Sequence, residues 1–304
     1  MISKDIFCHL KNEITVYCVS YNFKKTIERC LDSILKQTVS IPIKIYCVDD
    51  GSNDGTQEIL AKYADKNKKK IKLILSNTNT KKPGSLVSES NLDFDSKYFC
   101  QLDGDDYWTD NYNLEKKLKI LIGNEKIIGC SSITKMINKN KITLIKAGKT
   151  IFNKLDMIAY KKIIPFYCHT SSLLWKNYYY NKKTKLPFPP DYTGKEGDYF
   201  FFHQMLNNNH NIYIIPEVLS VYNYTNHGVW SGASIETQNK LNKKIKFRIF
   251  YYSPLKYKIF YLIVMACDFC KFKRGWLFNL FFKIFKVKPV NNIEIKNDLS
   301  SKIN

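Results

Sequence analysis

The sequence predicts an α/β fold, built on a mixed, mainly parallel β-sheet that is flanked by helices and followed by a C-terminal helical appendage. Two observations support this class. The first hundred residues alternate short apolar runs with segments of helical period, and several runs end in acidic or small polar residues. Strands buried on both faces of a parallel sheet read as nearly continuous apolar runs, and helices connect them. With 304 residues and 44% apolar side chains, the chain can bury such a core.

The strands are predicted from runs of β-branched and other apolar residues that are bounded by polar turn residues. The four runs are Ile14 to Ser20, Ile43 to Val48, Ile71 to Leu75 and Lys97 to Leu102. Helical spacing of apolar residues between Ile27 and Leu35 predicts a helix after the first strand. Asp54, with Gln57 three residues later, predicts a capped helix after the second strand. A further helix is expected to start near Glu196.

The composition changes near residue 240. Residues 240–304 contain 15 Lys or Arg residues against 3 Asp or Glu, interleaved with aromatic residues. We therefore expect one domain over residues 1–240 and a basic, aromatic helical region over residues 241–304. The apolar run Ile259 to Cys267 is nine residues long, well short of the roughly 20 that span a bilayer. The region either lies in an anionic membrane interface or packs on the main domain.

The formal net charge of +21 predicts an anionic partner. Nucleic acid, anionic lipid and phosphorylated substrates all satisfy this charge, and part of the excess also fits solvated Lys/Asn-rich faces. Residues 1–13 lack the apolar core of a secretion signal, so we expect a cytoplasmic protein, either free or peripheral at the inner face of the cytoplasmic membrane. The nine cysteines are an odd number, and several lie in predicted strands, which indicates buried reduced thiols.

Three carboxylates follow the strand that ends at Leu102. Asp103, Asp105 and Asp106 lie too close together to stay ionised without mutual repulsion, and a divalent cation relieves that repulsion. Oxygen ligands favour Mg²⁺ or Mn²⁺, and Mg²⁺ usually binds through one or two carboxylates together with substrate phosphates. The alternative is an ordinary Asp-rich turn before a helix.

Asp49 and Asp50 pose the same question at the end of the second strand, where Asp-Asp-Gly-Ser taken alone is a turn. Two acidic strand ends on one rim of a parallel sheet favour a ligand site, because ligands bind there in this architecture. The sequence contains neither the Gly-rich dinucleotide-binding motif after its first strand nor a P-loop. A bound phosphate is therefore expected to be held through a metal ion.

These segments resemble successive signatures of the inverting family 2 glycosyltransferases, which have a GT-A fold. In the first half the resemblance lies in Val16 to Asn22, Val48 to Thr56 and Leu102 to Asp110. In the second half, bacterial members that build surface polysaccharides are similar at His169 to Leu174, Gly197 to Tyr199, Leu219 to Tyr222 and Gly228 to Ser231. The resemblance covers roughly residues 13–235.

The resemblance implies roles for individual residues. Tyr21 stacks on the nucleotide base, Asp50 hydrogen-bonds that base with or without Asp49, and Asp103 and Asp105 face the ribose and the metal ion. Asp198 falls at the catalytic base, where a carboxylate takes the proton of the acceptor hydroxyl. Without the resemblance, Asp198 reads as an acid that offsets a helix dipole.

One departure from the family pattern concerns a histidine. Relatives tend to place it three residues after the Tyr that corresponds to Tyr222, whereas this chain has Thr225 there and His227 two positions later. His227 is either a replacement metal or phosphate ligand or a neutral turn histidine.

The leading hypothesis is a metal-dependent inverting glycosyltransferase for cell-surface polysaccharide, lipooligosaccharide or capsule. It takes the sugar from a nucleotide-diphosphate donor, a UDP-sugar in the first instance, and passes it to a glycan or lipid-linked saccharide. The alternative is a non-catalytic protein that binds nucleic acid or another polyanion through its basic and aromatic residues. The alternative leaves the acidic rim unexplained, since carboxylates repel phosphate, and so we expect no nucleic-acid partner.

Overall fold

The computed structural model describes residues 7–80, 86, 93–139, 141–145, 150–152, 154, 168–180, 182, 197–225, 234–255, 257–259 and 261–262. Within these residues ten strands form one mixed sheet. In chain order they are β1 (Lys11–Ser20), β2 (Ile43–Asp49), β3 (Ile71–Leu75), β4 (Ser96–Asp103), β5 (Tyr107–Trp108), β6 (Ile127–Asn138), β7 (Lys141–Ile145), β8 (Ile151–Phe152), β9 (Leu174–Lys176) and β10 (Asn211–Asn223).

The strands follow the order β3-β2-β1-β4-β9-β6-β10-β5, with β7 beside β6 and β8 beside β10. Strands β3, β2, β1 and β4 are parallel neighbours. The short strand β9 is antiparallel to both β4 and β6, and β10 is parallel to β6. The six longer strands on this path therefore run in one direction, and their carboxyl ends meet at one edge of the sheet.

Within the part of the chain that the structure describes, the helices that flank the sheet are α1 (Ile27–Leu35), α2 (Thr56–Lys66), α3 (Asn113–Gly123), α4 (Gly197–Met205) and α5 (Ile235–Tyr252). Helices α1, α2 and α3 contribute buried Leu and Ile side chains, such as Leu31, Leu60 and Leu118, to a core that covers one face of β1, β2 and β4. Helix α4 contributes Phe201 and Met205 to a second core that also contains Tyr17, Phe99 and Trp175. Because both faces are covered, the central strands are apolar nearly throughout.

All four predicted strands are present, each within three residues of its predicted bounds, and so are the two connecting helices. The helix expected near Glu196 begins at Gly197. The capping box predicted from Asp54 and Gln57 is wrong, because the N-cap of α2 is Gly55 and Asp54 lies one residue before it. Asp54 Oδ1 accepts a hydrogen bond from the Thr56 backbone N–H, but the Gln57 amide turns away from the helix start and donates to Asp49 and to the Ser76 carbonyl.

Helix α5 runs without interruption from Ile235 to Tyr252. The boundary expected between residues 240 and 241 falls within this helix, and the division into two domains stays a prediction. The described residues after the helix pack on α4 and the turn that follows it. Tyr261 Oη lies 2.9 Å from His203 Nδ1, and Tyr257 Oη donates to Asn209 at 3.2 Å. Among the described residues, no helix is both long enough and apolar enough to cross a bilayer.

Candidate active site

Polar residues gather at the edge where the carboxyl ends of β1, β2, β4 and β10 meet. Strand β1 ends at Ser20, β2 at Asp49, β4 at Asp103 and β10 at Asn223. Parallel pairing aligns Ser20 with Asp49 and Val19 with Asp103. Loops after parallel strands bind ligands at such an edge because the strands hold them in fixed register. The two acidic segments predicted to share one rim do so.

Asp49 is fully buried, and its carboxylate is occupied by the protein itself. One oxygen, Oδ1, accepts hydrogen bonds from the Ser52 backbone N–H and from Gln57 Nε2, each at 2.8 Å. The other, Oδ2, accepts from Ser20 Oγ at 2.7 Å and from Ser52 Oγ at 2.6 Å. Four donors satisfy a buried carboxylate, and together they tie the ends of β1 and β2 to the start of α2. In this arrangement Asp49 is a structural residue of the rim.

Asp50 and Tyr21 stand beside Asp49 but are differently placed. Oδ1 of Asp50 accepts hydrogen bonds from both the backbone N–H and the hydroxyl of Thr80, which brings the chain after β3 onto the rim. Tyr21, the residue after β1, is 41% exposed. An exposed aromatic ring next to a buried carboxylate gives a planar base one stacking surface and one hydrogen-bond acceptor.

Gly51 lets the chain turn sharply between these residues. Its φ of +80° lies in the left-handed region, and a Cβ at this position would lie 2.3 Å from the carbonyl carbon of Thr78. Only glycine fits both this dihedral angle and the close contact with the backbone of the residues that follow β3. The position of Asp50 relative to Thr80 therefore depends on Gly51.

The segment Asp103-Gly104-Asp105 leaves β4 against α1. The Gly104 backbone N–H donates to the Val19 carbonyl at 2.8 Å, and a Cβ on Gly104 would lie 2.9 Å from side-chain atoms of both Ile27 and Phe23. This close packing bends the chain immediately after the strand. Asp103 and Asp105, on either side of Gly104, consequently both stay at the rim.

The electrostatics of this segment are those of crowded, partly buried carboxylates. Burial raises the pKa of Asp105 from 3.8 to about 6, and the guanidinium of Arg29 opposes that rise. Burial, together with the charges of Asp105 and Asp103, raises the pKa of Asp106 well above its usual value. Carboxylates in this state gain from a nearby cation, which offsets the repulsion that raises their pKa values.

Asp106 points away from the rim and connects the segment to the rest of the domain. Its carboxylate, which is 1% exposed, accepts hydrogen bonds from the Ser171 hydroxyl and, at 3.0 Å, from the Asn223 backbone N–H. The Asn223 side chain donates to the Asp105 carbonyl. His169 packs nearby, stacked on Tyr222 with ring centroids 4.0 Å apart, and burial lowers its pKa to about 4, so the imidazole is neutral.

The donor set fits a divalent cation held by two carboxylates. Asp106 accepts hydrogen bonds from Ser171 and Asn223, and Asp103 Oδ1 accepts one from Gln101 Nε2 at 3.0 Å. Asp103 and Asp105 are the carboxylates of this segment that could hold a cation at the rim. Within the parts of the chain that the structure describes, no group of three or more His, Cys, Asp or Glu side chains is placed to hold a metal ion. A cation bound here would take its other ligands from substrate phosphate and water, as Mg²⁺ usually does.

The side chains of two predicted site residues lie outside the described part of the chain. Asp198 is the second residue of α4, where its backbone is described and its side chain is not. His227 lies in the segment 226–233, outside the described residues. The choice between a ligand and a turn histidine therefore stays open.

Several residues of the site were not anticipated from the sequence. Arg29 on α1 lies with its guanidinium carbon 4.0 Å from the ring centroid of Tyr107, and its charge reaches Asp105. Thr80, Ser171 and Asn223 meet the acidic segments from distant parts of the chain. Ser171 and Asn223 do fall in or beside the segments that resemble the family, but no local pattern pairs them with Asp106. Arg29 has no such signal.

The fold is similar to that of a solved structure with a bound nucleotide sugar. Staphylococcus aureus TarS in complex with UDP-GlcNAc superposes with a TM-score of 0.60 at 19% identity, over 88% of this chain and 75% of that chain. At this level of identity the similarity shows the fold, which is GT-A, the nucleotide-diphospho-sugar transferase fold. The GT-A prediction is thus confirmed.

The family model for glycosyl transferase family 2 matches residues 15–181, which is more than half of the 304 residues. The chain belongs to glycosyl transferase family 2. The match includes β1, β2 and β4 with the polar segments that follow them. The match supports the glycosyltransferase hypothesis over the alternative of a non-catalytic polyanion-binding protein.

The chain is also similar in sequence to two bacterial proteins. A protein of Mycobacterium tuberculosis of uncharacterised function is 23% identical over 224 residues, which are 72% of this chain and 61% of that protein. The chain thus matches less than two thirds of the length of that relative. The UDP-Glc:alpha-D-GlcNAc-diphosphoundecaprenol beta-1,3-glucosyltransferase of Escherichia coli is 29% identical over 144 residues, 45% of this chain and 55% of that enzyme.

Proposed function

We propose that this glycosyltransferase moves a sugar from a UDP-sugar donor to a glycan acceptor of a cell-surface polysaccharide, with inversion at the anomeric carbon and with a bound divalent cation. The observation that supports this most directly is the rim, where Tyr21, Asp50 and the pair Asp103 and Asp105 face one edge of the sheet. Aromatic, acceptor and metal-ligand groups at that edge match three of the four parts of a nucleotide sugar, namely the base, the ribose and the diphosphate.

The nucleoside is bound by Tyr21 and Asp50 in this proposal. The exposed Tyr21 ring stacks on the base, and the Asp50 carboxylate, oriented by Thr80, accepts a hydrogen bond from a base N–H. Asp49 contributes to nucleoside binding indirectly, because its four hydrogen bonds hold the loop that contains Asp50. UDP is the favoured nucleotide, since the similar TarS structure contains UDP-GlcNAc and the E. coli relative is named for UDP-glucose.

Asp103 and Asp105 would hold the cation, Mn²⁺ or Mg²⁺, and Asp103 would also face the ribose. When bound, this ion offsets the negative charge that develops on the departing diphosphate. Asp106, Ser171 and Asn223 orient the segment without touching the donor. Arg29 supplies a fixed positive charge next to Asp105.

Asp198 is the catalytic base of this proposal. A carboxylate at the start of α4 takes the proton of the acceptor hydroxyl while the hydroxyl oxygen attacks the anomeric carbon and the bond from that carbon to the diphosphate oxygen breaks. A single displacement of this kind inverts the anomeric configuration. The acceptor is a glycan or a lipid-linked saccharide, and the reaction takes place at the inner face of the cytoplasmic membrane, in peripheral contact with anionic lipid.

The experiment is release of UDP from a panel of UDP-sugars in the presence of Mn²⁺ or Mg²⁺, with the acceptor hydroxyl replaced by water. We expect slow hydrolysis of one donor that EDTA abolishes. Asp105→Ala should lose both the activity and the thermal stabilisation by Mn²⁺ with UDP. Asp198→Asn should lose the activity but keep that stabilisation, because it leaves donor binding intact.

Asp32→Asn is the matched control, because Asp32 is an exposed acid on α1, away from the rim. It should behave as the parent protein does. If calorimetry detects no UDP binding with either ion, the proposal for the donor is wrong. If UDP binds equally well after EDTA treatment, the proposal for the metal is wrong.

A further inference from the structure

Helix α5 has a buried side and an exposed side of different chemistry. Ile245 and Ile249, at 7% and 1% exposure, face the domain. Phe247 and Tyr251, at 67% and 60% exposure, point outwards and stack on each other at 6.5 Å. The exposed lysines Lys240, Lys243 and Lys244 precede Phe247 at intervals of three or four residues. Since such intervals repeat on one face of a helix, the outward face is basic in its first half and aromatic in its second.

The same exposure continues after the helix. Leu255, Ile259 and Leu262, spaced by four and three residues, are 75%, 53% and 53% exposed. Between them Tyr257 and Tyr261 turn inwards to Asn209 and His203. Lys258 Nζ lies 5.7 Å from the Tyr251 ring centroid, so this segment lies next to the end of α5. We call the outward residues the basic-apolar face: Lys240, Lys243, Lys244, Phe247, Tyr251, Leu255, Ile259 and Leu262.

We propose that the basic-apolar face docks on an anionic lipid surface. Large exposed apolar side chains that lie in a row mark an interaction site, since scattered ones are normal but contiguous ones are not. The order along the face, with lysines at one end and aromatic and aliphatic side chains at the other, suits a headgroup layer above an acyl layer. The lysine end of this side of α5 also includes one exposed acid, Glu236, one turn before Lys240. The three lysines outnumber it, and anionic lipid attracts lysines near its surface.

Charge favours anionic lipid over the two other possible occupants of the face, which are a second copy of the chain and residues 263–304. A second copy of the chain would bring another strongly positive surface, from a chain of net charge +21, against these lysines. Residues 263–304, which continue the chain beyond the described part, carry eight Lys or Arg against three Asp or Glu and would meet the same repulsion. Anionic lipid complements both the lysines and the apolar side chains.

The basic-apolar face lies next to the helix that carries the proposed catalytic base, so membrane contact would bring a lipid-linked acceptor near that base. This inference rests on the proposed function. The residues behind the face are held to α4 and its following turn, with Asn207 Nδ2 donating to the Tyr252 carbonyl at 3.5 Å and Tyr261 beside His203. Helix α4 begins with the segment that contains Asp198. A bilayer bound at α5 is thereby held at a fixed distance from the proposed base, which brings a lipid-linked acceptor to the site.

The test is flotation of the full chain with vesicles of phosphatidylglycerol and phosphatidylcholine, compared with vesicles of phosphatidylcholine alone. The parent should bind only the anionic vesicles. The double variant Phe247→Ser/Tyr251→Ser should partition about tenfold more weakly, because two half-exposed aromatic side chains no longer enter the bilayer. Lys243→Gln and Lys244→Gln should each cost about fivefold. The control Tyr112→Ser/Ile122→Ser removes two side chains of similar exposure, 55% and 62%, outside the face and should bind as the parent does.

Several results would overturn the proposal. One is equal binding of the Phe247/Tyr251 variant and the control. Another is a parent dimer, seen by light scattering without vesicles, that the Phe247/Tyr251 variant dissociates, since a second copy would then cover the face. A third is a lower melting temperature of that variant without vesicles, which would mean that the chain itself covers these residues. UDP binding, measured on the same samples in solution, reports on the proposed function separately, so either idea can fail alone.

Discussion

Asn223 makes two hydrogen bonds to the acidic segment after β4: its backbone N–H donates to Asp106 Oδ1 at 3.0 Å, and its side chain donates to the Asp105 carbonyl. Strand β10, which ends at Asn223, thereby fixes the segment that exits β4, although β9 and β6 lie between the two strands in the sheet. Asp105 is consequently held in place from the far side of the domain.

Asn223→Ala should lower the glycosyltransferase rate by about tenfold, because it removes the side-chain bond to the Asp105 carbonyl while it keeps the backbone bond to Asp106. The loss of one hydrogen bond should cost only about 1 kcal/mol of unfolding free energy. Steady-state kinetics and urea titration measure the two effects. Asn138→Ala is the control, because Asn138 ends the neighbouring strand β6. Equal effects of the two substitutions would show that Asn223 does not position Asp105.

The neighbouring carboxylates Asp49 and Asp50 should respond differently to substitution. Asp49→Ala leaves four donors without their acceptor in a buried site and should lower the free energy of unfolding by roughly 3 kcal/mol or more. Among the described residues Asp50→Ala removes the two hydrogen bonds from Thr80, so it should cost about 1 kcal/mol, yet weaken UDP binding by at least about tenfold. Chemical denaturation and calorimetry check the pair. The reverse ranking in stability would contradict the roles assigned to them.

Gly51→Ala should disrupt the same loop. The added Cβ meets the Thr78 backbone at 2.3 Å in a residue with φ of +80°, so we expect a loss of at least about 2 kcal/mol in unfolding free energy and weaker UDP binding. Gly123→Ala is the matched control. Its Cβ meets no atom within 4 Å at the end of α3, and it should be neutral or stabilise by about 0.5 to 1 kcal/mol. Thermal unfolding of the two variants distinguishes a strained glycine from an ordinary one.

Lys117 on α3 should make stability depend on pH in the alkaline range. The side chain is 1% exposed, and burial lowers its pKa from 10.5 to about 8. Below about pH 8 the folded protein must hold a buried charge, whereas between pH 8 and 10.5 only the unfolded chain binds the proton, so the Lys117 contribution to stability becomes more favourable as pH rises. Lys117→Met should therefore be more stable than the parent by about 3 kcal/mol at pH 7.

The difference between Lys117→Met and the parent should shrink as pH rises from 8 to 10.5. Other groups, tyrosines among them, titrate in the same range, and they cancel when the two proteins are compared at each pH. Urea unfolding at pH 7, 8, 9 and 10 provides the measurement. A constant difference across these values would mean that the pKa of Lys117 is not lowered in the folded protein.

The strands, their connecting helices and the acidic rim were predictable because each leaves a local record in the sequence. A buried parallel strand must be apolar over its whole length, so Ile14 to Ser20 could be assigned without knowledge of its neighbours. The carboxyl ends of parallel strands meet at one edge of the sheet, so the sequence positions of Asp49 and Asp103 predict that both lie at that edge. The sequence pattern was less reliable for Gln57. It predicts that the side chain caps α2, but in the structure the side-chain amide donates to Asp49 and to the Ser76 carbonyl.

The sequence by itself determined the fold class, the family and which carboxylates lie at the rim, because period, composition and motif order are properties of the chain. The tertiary structure decided which hydrogen bonds those carboxylates accept. Asp49 accepts from Ser20, Ser52 and Gln57, and Asp106 accepts from Ser171 and Asn223. Asp50 accepts from Thr80, and Asp103 accepts from Gln101. Hydrogen bonds between residues 100 or more positions apart, as between Asp106 and Asn223, follow from strand order alone, and strand order is set by packing.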